Sequence, residues 1–272
     1  MTEQLETHSG MQPVLFLPHG GGPCFFMDGA ERWSRMEAYL SGVRRSLPRK
    51  PSAILVISGH WENTVPTVTS SPNPALIYDY YGFPEHTYRL KYPAPGAPQL
   101  AEDVCRLLQQ AGIASASDAE RGFDHGVFVP FLVAFPDADI PVVELSLQKD
   151  LDPVFHLRVG EALSELRSRN VLIVATGMTY HNLRSFMTHD PRAAEASVQF
   201  DDWLAEVIED TAVRRNSRLS NWETAPAARL CHPREEHLLP LMVAAGAAGD
   251  DRGVHDYRDV ILGKTLSGYR FG

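Results

Sequence analysis

Three histidines of this chain stand just beyond short, apolar, β-branched runs. His19 follows VLFLP and precedes GGGP; His60 follows AILVISG and precedes Trp61 and Glu62; His181 follows VLIVATGMTY and precedes Asn182 and Leu183. A single histidine at the end of a strand is ordinarily a hydrogen-bonded boundary residue. Three of them at separate strand ends point instead to neutral imidazoles that converge on one divalent transition metal. Their wide separation in sequence is what a site assembled by the fold requires.

Two further segments add candidates. Phe123-Asp124-His125-Gly126 opens the apolar helical stretch VFVPFLVAF, with Asp124 or the preceding turn as its cap. His125 then sits at a helix start, where a neutral imidazole can donate one hydrogen bond and accept another; its plain alternative is a capping or packing histidine. In His232-Pro233-Arg234-Glu235-Glu236-His237, which leads into LLPLMVAAGAAG, the two histidines are five residues apart. On a helix they would point ~140° apart, so both cannot face one ion. His237 adjoins the apolar run and is the better ligand candidate, while His232 reads as a residue leading into the helix or a group behind the ligands. Glu235 and Glu236 read as an acidic first turn answering the helix dipole, with a carboxylate ligand as the alternative.

The glycines of His19-Gly20-Gly21-Gly22-Pro23 allow a sharp turn beside a ligand. They do not make a phosphate cradle, lacking both a P-loop ending and the dinucleotide spacing. The chain has no G-x-S-x-G elbow and no H-E-x-x-H helix. His8, His86, His156, His189 and His255 have no comparable context.

The elements that must position these residues alternate. Val14–Leu17, Ala53–Ile57, Val142–Leu147 and Val171–Ala175 read as strands buried on both faces. Helical patterns fall over Ala30–Ser46, Pro98–Ala111, Asp152–Arg169, Ala193–Val213 and Pro233–Ala247. This alternation predicts a single α/β domain, a mostly parallel sheet flanked by helices, spanning the chain behind a flexible N-terminus of about twelve residues. In such sheets ligands bind at the C-terminal strand ends, which is where the metal site is expected. The stretch Ser70–Pro98 has too much proline for a helix and too many aromatics for a linker. It reads as an ordered excursion forming the wall or lid of a pocket, or simply as a packed surface loop.

The 272 residues carry a net charge of -9, which argues against nucleic acid or an anionic membrane as partner. No signal-peptide pattern and no membrane-length apolar run is present, and the three cysteines are widely spaced. A cytoplasmic protein with reduced thiols is expected.

PHGGGP, SGHWE, GFDHGVF, TGMTYHNL and HPREEHLLPLMVAAGAA, in this order, together with YDYYGFPEHTYRLKYPAPGAP, resemble the LigB-like extradiol dioxygenases, and among them the branch acting on DOPA-type catechols. The resemblance covers nearly the whole chain. It implies one non-haem Fe(II) held by His19 and His60 from the first two motifs and by His237 at the start of the last helix. It also makes His181 the general base and His125 the histidine on the dioxygen side. In some zinc-containing relatives the equivalent of His181 is a fourth ligand, and that role stays open here, as does Zn(II) in a prepared protein. PHGGGP departs from the Gly-His-Gly-Ser-Pro form of many relatives, a loss of a hydroxyl that bears on substrate preference rather than on the ligand.

The implied reaction inserts both atoms of O₂ into a small catechol, DOPA-like or related, and breaks the ring outside the diol to give a muconic semialdehyde. His181 would take a catechol proton and His125 would protonate the oxygen side. Spacing alone does not separate iron from zinc. Two other readings use the same residues: a zinc hydrolase with a metal-bound hydroxide, and a non-catalytic binding protein like the Memo branch of this superfamily, whose mark would be loss of the ligands.

Overall fold

The four apolar runs form the middle of one eight-stranded sheet. The computed structural model describes residues 10–272. In chain order the first half contains β1 (Val14–Pro18), α1 (Ser34–Ser46), β2 (Ala53–Asn63), β3 (Thr67–Thr69), α2 (Pro98–Gln110), β4 (Ala116–Asp118), α3 (His125–Ala134) and β5 (Val142–Gln148). The second half contains α4 (Pro153–Leu163), β6 (Val171–Gly177), α5 (Leu183–Phe186), α6 (Pro191–Ile208) and α7 (Ala212–Ser220). It ends with α8 (Ala228–Cys231), α9 (Leu239–Ala247), β7 (Gly253–Ile261) and β8 (Lys264–Phe271). The strand order is β4-β3-β5-β2-β6-β1-β8-β7. The central strands β5, β2, β6 and β1 are mutually parallel, and antiparallel pairings join β3 to β5 and β8 to β1 and β7.

The parallel centre follows from composition: β1, the first part of β2, β5 and β6 are buried on both faces, so helices must cover both. α9, apolar all round, is buried along its whole length, packed on α4 and on the back of the sheet. No helix among the described residues is long and apolar enough to cross a membrane.

The differences from expectation have local causes. The helix expected from Pro233 begins only at Leu239, because Pro240 has no N–H to bond the carbonyl of Glu236 and is tolerated only in a first turn. The helix expected over Ala193–Val213 divides at Glu209–Thr211, where the Asp210 carboxylate accepts from the Thr211 N–H and so competes with the helical bond. The C-terminal hairpin has a weak turn signal: Leu262 and Gly263 both take positive φ (51° and 78°), and leucine stands where asparagine or aspartate is usual. Residues 1–9, including His8, lie outside the described residues. The looseness expected of the N-terminus does not reach Gln12, which is buried and bonded to Arg49, Arg167 and Asn170.

Candidate metal centre

β1 delivers His19 at its C-terminal end, and Gly20, at φ 80°, turns the chain away at once. A Cβ on Gly20 would lie 2.3 Å from the Cys24 sulfur, so no other residue fits there without a shift. His60 is not beyond its strand as expected but inside it. Between Ile57 and Glu62, β2 advances five positions while β5 advances two, and this bulge carries His60 out of the ladder toward the strand ends. His237 lies in the turn before α9. Its carbonyl accepts from the Met178 N–H at 3.0 Å, and a Cβ on Gly177 would meet that carbonyl oxygen at 2.2 Å. The bare Cα of Gly177 at the end of β6 therefore lets the His237 segment lie on the strand.

The three side chains meet at their Nε2 atoms, 3.3 Å apart for His19 and His60 and 3.2 Å for His60 and His237. The Nδ1 atoms decide the tautomers. That of His19 faces the Gly20 carbonyl oxygen at 2.8 Å, that of His237 faces Glu236 Oε1 at 3.0 Å, and that of His60 faces Asp79 Oδ2 at 3.4 Å. All three partners can only accept, so each Nδ1 carries the proton and each Nε2 presents a lone pair. Three lone pairs at this range repel one another, and a cation between them removes the conflict. Nitrogen ligands ~2.0–2.1 Å from a tetrahedral metal would stand ~3.3 Å apart. The donor set fits a divalent metal.

Burial is the main cause holding the imidazoles of His19, His60 and His237 well below the usual histidine range, with neighbouring histidines adding to it. Neutral, ligand-ready rings are the result. Two other groupings, His60 with Asp79 and His125, and His181 with Glu236 and His237, also bring possible donors together. There the nitrogens facing the carboxylates are the protonated Nδ1 atoms, so these are histidine–carboxylate pairs rather than alternative metal sites.

Those pairs flank the triad. His181 stacks on His237, ring centroids 3.3 Å apart, and its Nδ1–H donates to Glu236 Oε1 at 3.0 Å, the oxygen that also accepts from His237. His125 packs against His60 at 3.9 Å, and both its Nδ1–H and its backbone N–H donate to Asp79 Oδ1, at 2.8 and 2.9 Å. Burial pushes the Asp79 and Glu236 carboxyls up, but hydrogen bonds from His125 and His181 outweigh it and leave both below the ordinary carboxyl range. One carboxylate thus orients one member of the triad and one flanking histidine on each side. Asp124 caps α3 as expected, accepting from Gly126 N, and is itself fixed by Ser58 and Arg121.

His232 is apart from this group. It is fully buried between Phe200 and Trp222, its Nε2–H donates to the Thr179 carbonyl at 3.0 Å, and its Nδ1 has no partner. Its separation from His237 does not come from opposite faces of a helix, because residues 232–238 are not helical. His19, His60, His125, His181 and His237 instead line a cavity of about 180 Å³ with Tyr80, Phe83 and Phe186. The stretch 70–98 is a wall of that cavity: it supplies Tyr80 and Phe83 and carries Asp79.

Asp79 is the residue missed by sequence reasoning. Its only signal was its place in an aromatic, proline-rich excursion too ordered for a linker. For Glu236 the sequence suggests a helix-dipole residue or a ligand; its place is behind His181 and His237, tied by the Glu62–Arg234 ion pair to the end of β2.

The family described as the catalytic LigB subunit of aromatic ring-opening dioxygenase matches residues 13–268. The chain belongs to this family. As a LigB-family protein it is an enzyme of the dioxygenase class, and the motif order and the fold agree with that membership. It is 37% identical over 282 residues to the dioxygenase tasH of Hapsidospora irregularis, covering 98% of this chain and 87% of that one. It is 40% identical over 239 residues to the 4,5-DOPA dioxygenase extradiol of Portulaca grandiflora, covering 87% and 86%. Among solved structures, the crystal structure of uncharacterized protein JW3007 from Escherichia coli K12 superposes with a TM-score of 0.77 at 28% identity, covering 96% of this chain and all of that one.

Proposed function

We propose that this LigB-family enzyme is an Fe(II)-dependent extradiol dioxygenase of catechols, with His19, His60 and His237 as metal ligands, His181 as base and His125 as the acid on the oxygen side. The observation that carries the reading is the set of three converging, unprotonated Nε2 atoms with a carboxylate-held histidine on each flank. Fe(II), when bound, supplies the redox link between catechol and O₂ that a redox-inert zinc ion lacks. The three-histidine set leaves positions open for both reactants.

The Nδ1–H of His181 is held by Glu236, so its Nε2 lone pair is free to accept the proton of a catechol hydroxyl. The imidazolium that forms is stabilised by the same carboxylate. On the other flank, Asp79 fixes His125 in the same sense. Nε2 of His125 hydrogen-bonds the oxygen side and, once protonated, delivers its proton there. Tyr80, Phe83 and Phe186 close the remaining walls and limit water. The product is a muconic semialdehyde that contains both oxygen atoms. His181 acts here as base rather than as a fourth ligand, since it is not among the three histidines whose ring nitrogens converge. Three free cysteines support residence in the reducing cytoplasm.

The test is anaerobic loading with Fe(II), then a panel of catechols including DOPA in an oxygen electrode with absorbance recorded. Oxygen uptake with a growing yellow band, absent from zinc-loaded protein, is the expected result. Absence of uptake across the panel with bound metal verified would replace this reading with metal-dependent hydrolysis or binding.

A further inference from the structure

A second cavity of about 380 Å³ lies directly against the histidine cavity, and the two share Gly21, Gly22, Phe83, Leu183 and Phe186 as walls. The inner cavity is below the ~300–1,000 Å³ of ordinary ligand pockets, so it accommodates a reacting ring and little more. The outer one falls within that range. Its floor is aromatic: Trp33 and Phe186 are buried and lie parallel, ring centroids 6.4 Å apart at 11°. Leu183 and Met187, on and just beyond α5, stand over it at 72% and 71% exposure. Large apolar side chains left open to water beside a cavity mark a surface that something apolar covers. α5 starts two residues after His181, which sets this apolar surface beside the inner cavity.

We propose that the substrate is a catechol bearing a bulky apolar substituent, of aryl or alkyl-chain class, which fills this outer chamber while the diol ring occupies the histidine cavity. The inference rests on the catechol reading above. Walls of tryptophan, phenylalanine, leucine and methionine favour such a group by removing apolar surface from water. An amino-acid headgroup would instead lose hydration against that floor. The two charged side chains of the chamber, Asp28 and Arg32, are exposed at its edge rather than set into its floor. They offer a zwitterion only a wet position.

Steady-state kinetics of the Fe(II)-loaded enzyme on catechol, 4-phenylcatechol and L-DOPA test the idea. The 4-phenyl compound is expected to exceed catechol about thirtyfold in kcat/KM, equivalent to about 2 kcal/mol, mostly through KM. Met187→Asp, at an exposed position, is expected to lower that preference about fivefold. Equal efficiencies, or a preference for L-DOPA that Arg32→Ala abolishes, would overturn the proposal while leaving the dioxygenase reading intact. Calorimetry on the metal-free protein keeps the two separable. Even if no catechol is turned over, 4-phenylphenol must bind about thirtyfold more tightly than phenol, with the gain reduced in Met187→Asp. Equal affinities there sink the chamber's role independently of catalysis.

Discussion

In the converging triad the Nδ1 atoms of His19 and His237 are hydrogen-bonded to acceptors and that of His60 faces Asp79 at 3.4 Å, which leaves Nε2 for a metal, and each flanking histidine repeats the arrangement with a carboxylate. The roles therefore separate on substitution. His19→Ala or His60→Ala should lose bound metal and turnover together. His181→Ala should retain near-stoichiometric metal while kcat falls by roughly 10²–10⁴. Metal analysis beside single-turnover kinetics reads the difference, and full occupancy in the His19 and His60 variants would sink the ligand assignment. Asp79→Asn removes the carboxylate charge facing both His60 and His125, so metal affinity or kcat should fall about 10–100-fold. Unchanged affinity and rate in that variant would mean that the carboxylate only packs against the rings.

Among the elements, the ends of β1, β2 and β6 matter more than any helix. The bulge in β2 advances His60, and Gly177 closes β6 so that the His237 carbonyl can rest on it. Gly177→Ala places a Cβ 2.2 Å from a backbone oxygen that has no freedom to rotate away. Overpacking of this kind costs about 1–3 kcal/mol. Urea midpoints should drop accordingly, and metal affinity should drop with them because His237 is displaced. A variant of wild-type stability with weakened metal binding would show that the strand end yields without cost. Three histidine-bearing motifs were legible because apolar runs mark the strands that carry them, and that of His125 because an apolar helix follows it. The start of α9 was not, because helical periodicity continues through residues 233–238 and only Pro240 interrupts the hydrogen bonding.

For the molecule as a whole, ligation and burial make stability depend on metal and on pH. A metal at a hundredfold its dissociation constant stabilises the native state by about 2.7 kcal/mol. For a domain of this size that corresponds to roughly 5–10 °C in Tm. Adding a chelator should reverse the shift in wild type and do nothing in His19→Ala. Acid acts through the buried neutral histidines, and burial lowers His232 among them from the usual 6.5 to about 3. The unfolded state then binds the extra proton, so this contribution is complete above about pH 6.5 and is lost as pH falls toward 3, by about 1.4 kcal/mol per pH unit. His232→Gln keeps a donor for the Thr179 carbonyl and removes the titration. Urea unfolding at pH 7.5 and 5 should show a shallower pH dependence in that variant, and an unchanged dependence would place the acid sensitivity elsewhere.

Sequence by itself determined the α/β architecture, the central strands and the five histidines that share one cavity, because burial on both faces of parallel strands leaves long apolar runs that local composition displays. Tertiary structure alone decided what holds those histidines in place. Asp79 reaches His60 and His125 from a segment without helix or strand, and Glu236 reaches His181 across 55 residues. Side-chain hydrogen bonds between distant segments leave no periodicity in a sequence. The outer chamber is of the same kind: Trp33, Phe83 and Phe186 become one surface only when three separate segments pack together.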